Sequence, residues 1–120
     1  MATRAIRGAI QLDVDEREHL LASTRELVTE VIAANELSSD DLISILFTCT
    51  ADLRSEFPAL AARELGLGDV PLLCTVEIDV PGAMPRVVRL LAHAEMDRPR
   101  GEVQHVYLRG AVGLRRDLAQ

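Results

Sequence analysis

Pro71-Leu72-Leu73-Cys74-Thr75-Val76-Glu77-Ile78-Asp79-Val80 is a short run of β-branched and apolar residues, and it reads as a buried strand. A carboxylate in the middle of such a run is costly unless it is paired. Glu77 is therefore either a structural charge with a partner or a functional one. Which of the two depends on what the neighbouring strands place beside it.

Downstream, Pro81-Gly82 breaks the run, and Arg86-Val87-Val88-Arg89-Leu90-Leu91-Ala92-His93-Ala94-Glu95 follows. That segment satisfies a helical stripe and a strand alternation about equally. As a strand it carries Val88, Leu90, Ala92 and Ala94 on one apolar face and Arg89 on the other. Asp97 to Gly101 is a turn-rich loop. His105-Val106-Tyr107-Leu108-Arg109 reads as a last strand, with Val106 and Leu108 on its apolar side and Tyr107 opposite. Leu114-Arg115-Arg116-Asp117-Leu118 is a basic tail.

Upstream, Ile6, Ile10 and Leu12 share one phase of a period-two pattern with Gly8, which sends Arg7 to the opposite face. An exposed charge on an edge strand is the plain alternative for Arg7. Asp15 and Glu18 have the form of a capping box, and Leu20, Leu27, Val28, Val31 and Ile32 recur at helical spacing up to Asn35. Ser38 to Asp41 is a turn. Ile43, Ile45, Phe47 and Cys49 then alternate with a mildly polar face of Ser44, Thr48 and Thr50. Pro58 is well placed to open a second helix through Leu65, stopped by Gly66 and Gly68. Around that helix, Phe57 has the position of a hydrophobic staple and Arg63 that of a solvated charge.

Composition narrows the function classes. A chain of 120 residues, 48% hydrophobic, suffices for one core and is short for two, so a single domain spanning 1–120 is expected. A net charge of −6 argues against a general nucleic-acid binder. Eleven acids and three arginines between Gly8 and Glu56 concentrate the negative charge, leaving the start and the second half basic. All thirteen basic residues are arginine, whose planar fork holds carboxylates bidentately. Cys49 and Cys74 have no metal-ligand or redox spacing, and His19, His93 and His105 are scattered, so no metal site is expected. With no secretory n- and h-region at the start and no apolar run near membrane-spanning length, a cytoplasmic protein without membrane contact is expected.

Arg7, Glu77, Arg89 and Tyr107 each fall opposite the apolar phase of their strands. Two substantial helices cover only one side of a sheet. Burying the other side between identical subunits is the simplest solution.

The residues that carry these phases resemble a known family: Arg4-Ala5-Ile6-Arg7-Gly8-Ala9, Thr50-Ala51-Asp52-Leu53, Phe57-Pro58-Ala59 and Ala62-Arg63-Glu64-Leu65, then the opening stretch and Arg89. His105-Val106-Tyr107-Leu108, Ala111-Val112 and Leu114-Arg115 complete the set in order. Together they are similar to the monofunctional, trimeric α+β class of chorismate mutase. The resemblance implies an α+β fold with a mixed sheet of about five strands and two main helices on one face. It also implies that Arg86 to Glu95 is a strand, and that a homotrimer forms a barrel-like core with active sites at its subunit interfaces. The implied reaction is the rearrangement of chorismate to prephenate on the route to phenylalanine and tyrosine, with no cofactor and no metal.

By the same resemblance, Arg89 is the donor to the substrate's ether oxygen and to a carboxylate, while Arg7 and Tyr107 hold the side-chain carboxylate. Glu77, with the Cys74 region, holds the ring hydroxyl, and Leu73, Cys74, Thr75 and Val76 line the pocket. Phe57, Arg63, Leu114 and Arg115 match positions at its wall and mouth. Leu60 stands where relatives can carry a lysine, and Leu73 where they can carry a hydroxyl. Two other classes share parts of this pattern: a trimeric module that binds a small carboxylate, and an imine or enamine deaminase of the same architecture. Fold alone does not separate them; Glu77 and Arg89 together with Arg7 favour the mutase.

Overall fold

The computed structural model describes residues 1–114 of the chain. In chain order it contains β1 (Ala2–Gln11), α1 (Arg17–Ala34), β2 (Leu42–Cys49), α2 (Pro58–Glu64), β3 (Leu72–Val76), β4 (Val87–Met96) and β5 (Val106–Leu108). Single 3-10 turns occupy Ser39–Asp41 and Arg100–Glu102, and a longer one occupies Arg109–Leu114. The five strands form one mixed sheet in the order β3-β2-β4-β1-β5. β4 runs antiparallel to both β1 and β2, whereas β3 is parallel to β2 and β5 parallel to β1.

The expected phases hold on the helix-covered side. Ile6 and Ile10 of β1, Ile45 and Phe47 of β2, and Val88, Leu90, Ala92 and Ala94 of β4 are buried beneath Leu20, Leu27, Val28 and Val31 of α1. Each Ile, Leu, Val or Phe side chain among them contributes about 1.5–3 kcal/mol before conformational entropy is counted, and the two alanines less. Gly8 lets α1 settle closely, because a Cβ there would lie 3.1 Å from Leu90 Cγ and 3.2 Å from Leu27 Cδ1. Pro58 opens α2 at its first turn, where no N–H is required, and Gly66, at φ +90°, supplies the left-handed residue that ends it. Arg86 to Glu95 is a strand where it was ambiguous: Val87–Met96 is paired along its length with β1 and over most of it with β2.

Four expectations change. The cap of α1 is Glu16, whose carboxylate accepts from the N–H groups of Glu18 and His19; Asp15 instead accepts from the backbone of Arg54 and Ser55. A helix cap is set by where the backbone turns, and here it turns one residue later than the Asp15–Glu18 pattern implies. In β2 a bulge between Leu42 and Ser44 puts Leu42 opposite core residue Ala94, so Leu42 is buried and Ile43 is 41% exposed. Arg7 is not on an edge strand, since β1 lies between β4 and β5.

The fourth concerns the stretch 71–80. β3 spans only Leu72–Val76 and lies at the edge of the sheet, so it is not a buried strand. Leu72 and Cys74 pack against the core, while Val76 is 63% and Ile78 84% exposed. Glu77 follows the last strand residue instead of interrupting an apolar run, and its N–H reaches the Cys49 carbonyl at 2.9 Å.

Candidate active site

On the sheet face away from the helices, register alone assembles a site. Thr75 of β3 pairs with Thr48 of β2, Thr48 with Arg89 of β4, Arg89 with Ala9 of β1, and Ala9 with Tyr107 of β5. One row thus crosses all five strands with Arg89 at its centre. The adjacent row on the same face is Leu73, Leu46, Leu91 and Arg7. Between them lies an open hollow of about 450 Å³ that Arg7, Leu73, Thr75, Glu77, Arg89 and Tyr107 all line. Leu46 and Thr48 form its floor on the β2 side.

Several anchors hold these residues in place. The start of β4 is tied down by Arg86, whose N–H donates to the Asp52 carboxylate and whose Nε donates to the Leu12 carbonyl at 3.0 Å. Thr50 accepts from Val87 N–H at 3.1 Å, two residues before Arg89. Arg7 N–H donates to His105 Nδ1 at 2.9 Å, which ties β1 to the residue preceding β5. Past Tyr107, Arg109 donates to Ser23 Oγ and to Glu26, fastening the chain to α1. The turn Arg109–Leu114 then folds over the outer face, where Met84, Tyr107 and Leu114 pack on Ala9, Val87 and Ala111.

Within the hollow the charges are sparsely matched. Glu77 Oε2 accepts a hydrogen bond from Thr48 Oγ1 and stands 3.9 Å from Arg89 Nε, beyond direct hydrogen-bond length. Arg89 remains 47% exposed, and Arg7 makes no ion pair with any described residue. Two guanidinium forks therefore face the same open space with one carboxylate between the strands, an arrangement suited to a small dianion. Among the described residues that line the hollow there is no cysteine, serine or histidine. Burial, reinforced by Cys74 and the carboxylates of Asp15, Asp52 and Glu77, pushes the Cys49 thiol above its ordinary range. Among the described residues no group of three His, Cys, Asp or Glu side chains could hold a metal. Among the described residues no helix is long and apolar enough to cross a membrane.

The structure brings together Arg7, Leu73, Thr75, Glu77, Arg89 and Tyr107, with Leu114 beside Tyr107 at one margin. It does not bring Cys74, Val76, Phe57 or Arg63 into this hollow. Cys74 points to the helix side, where its Sγ accepts from Ala59 N–H at 3.4 Å. A strand alternates its faces, so Cys74 and Val76 cannot share the face of Leu73 and Thr75. Phe57, at the start of α2, is 69% exposed and is no staple; Arg63 is exposed on the same helix. Arg115 lies outside the described residues. Thr48 is the residue that sequence reasoning passed over, although its phase on the polar face of β2 was a usable signal.

Residues 3–118 match the chorismate mutase type I family. Chorismate mutase AroH of Thermus thermophilus is 49% identical over 116 residues, covering 96% of this chain and 95% of that protein. Chorismate mutase AroH of Bacillus subtilis is 38% identical over 120 residues, covering 99% and 94%. The fold superposes on chorismate mutase from Clostridium thermocellum with a TM-score of 0.90 at 41% identity, covering 91% of this chain and 97% of that one. An arginine-centred site on a sheet of this topology, with likeness over nearly the whole length, means that the chain belongs to the chorismate mutase type I family and is an isomerase of that kind.

Proposed function

We propose that residues 1–120 act as one catalytic domain that binds chorismate in the Arg89-centred hollow and rearranges it to prephenate. The carrying observation is the cross-strand row itself, which sets Arg89 between the hydroxyls of Thr48 and Thr75 on one side and Tyr107 on the other. The substrate is a dianion, and negative charge grows on its ether oxygen as the carbon–oxygen bond breaks. A fixed guanidinium aimed at that oxygen stabilises the transition state more than the ground state. Arg89 takes this role. Arg7 and Tyr107 hold the side-chain carboxylate, and Glu77 accepts from the ring hydroxyl. Folding the enolpyruvyl arm over the ring into a reactive shape supplies the second contribution. No proton moves, so the reaction needs no nucleophile and base pair.

The hollow is open, and its missing wall points to a homotrimer with active sites between subunits. Leu73, Val76, Ile78 and Val80 leave a large apolar margin exposed along β3 and its continuation, and Phe57 adds to the exposed apolar surface at the start of α2. Such a surface marks an interface. Phe57, Arg63 and Val76, turned away from their own hollow, are then the wall that one subunit offers to its neighbour's site, with Leu114 at the margin.

Two measurements test this reading. Adding purified protein to chorismate is expected to remove chorismate's ultraviolet absorbance and yield prephenate; loss at only the spontaneous rate rules the activity out. Sedimentation equilibrium is expected to give three times the 13.1 kDa of one chain. A monomer that is fully active would remove the shared site.

A further inference from the structure

We infer that Thr48 is a positioning residue for the reaction, acting by holding the Glu77 carboxylate away from Arg89. This rests on the site reading above, in which Glu77 and Arg89 both meet substrate. Glu77 lies one residue past the end of β3, where the chain leaves the sheet, so its backbone is tied by a single hydrogen bond to Cys49. The residues that follow, Ile78 to Val80, are exposed and outside any strand. Nothing in the ladder therefore orients the Glu77 side chain. Among the described residues, Thr48 is the one hydrogen-bond donor to that carboxylate, and it engages Oε2, the oxygen that faces Arg89.

Left untethered, a glutamate this close to a guanidinium closes to a direct pair at about 2.7–2.9 Å. That contact would occupy Arg89 Nε and turn the carboxylate from the hollow, removing both groups from substrate at once. With the tether, the pair stays 3.9 Å apart. Thr48 is suited to the task because its register fixes it between Thr75 and Arg89, on the interior strand β2, half-buried. Its χ1 is stiff by β-branching, so its hydroxyl is a fixed donor.

The test is a set of steady-state measurements with chorismate. Thr48→Val keeps the shape and removes the hydroxyl; it is expected to lower kcat/KM at least about tenfold, the loss of one hydrogen bond to a charged group. Most of this is expected in kcat, because Arg89 acts in the transition state. Thr48→Ser is expected to stay within about threefold of wild type by restoring the donor. In a Glu77→Ala background, Thr48→Val is expected to cost less than about twofold, since its target is gone. Equal loss in both backgrounds, a serine variant as impaired as the valine one, or a valine variant near wild type overturns the positioning role. Glu77→Ala turning over near the wild-type rate would instead remove the site reading, and the role of Thr48 with it.

Discussion

Arg89→Lys is expected to lower kcat for chorismate by at least ~10²-fold, the scale of losing one preorganised donor to a developing charge. The substitution keeps the positive charge and removes the fork. In the structure Arg89 Nε faces Glu77 at 3.9 Å, which leaves the terminal nitrogens for the substrate. A lysine has one nitrogen, and it would have to choose between Glu77 and the ether oxygen. The backbone is held by Thr48 and Ala9 on its two flanks, so the side chain and not the strand is what changes. Because the residue is about half exposed, stability is expected to move by no more than about 0.5 kcal/mol. Steady-state kinetics paired with urea denaturation separates the two effects. Near-normal turnover would refute the assignment of Arg89.

Phe47→Ala, on β2, acts from the opposite face of the same sheet and is expected to cost about 3–5 kcal/mol of stability. Phe47 is fully buried and heads the largest buried side chains, in a chain whose core is otherwise aliphatic. It sits between Cys74 of β3 and Leu90 of β4, so its loss opens a cavity under the central strands. Against a total of about 5–15 kcal/mol for a typical domain, such a change threatens folding itself. Urea midpoints compared at one protein concentration measure it, since assembly would make stability concentration-dependent. A cost below about 1.5 kcal/mol would mean that the core closes over the gap. Thr48 follows Phe47 directly, so turnover is expected to fall along with stability.

The two substitutions lie on opposite faces of one sheet, and the period of two made that division legible from residues alone. Val88, Leu90 and Ala92 against Arg89, and Val106 and Leu108 against Tyr107, needed no partner strand to be assigned to faces. The same holds for Ile6 and Ile10 against Arg7. Where local pattern met non-local pairing, it failed. Ile43 continues the alternation of Ile45 and Phe47, yet the bulge at Leu42/Ser44 displaces it outward. Glu77 reads as the middle of a buried strand because Ile78 and Val80 prolong the apolar run, but β2 ends at Cys49 and offers β3 no further partner. Cys74 shares a segment with Glu77 and still points to the helix side.

By itself the sequence determined the side of the sheet on which each chemistry-bearing residue of β1, β4 and β5 lies, because side-chain phase follows from the local backbone. It also carried the family resemblance in its ordered motifs. Only the tertiary structure decided which residues share a row, where β3 stops, and that Thr48 meets Glu77. Those depend on register and strand order, which arise from hydrogen bonds between segments 26 to 80 or more residues apart, such as Phe47 with Cys74 and Ala9 with Arg89.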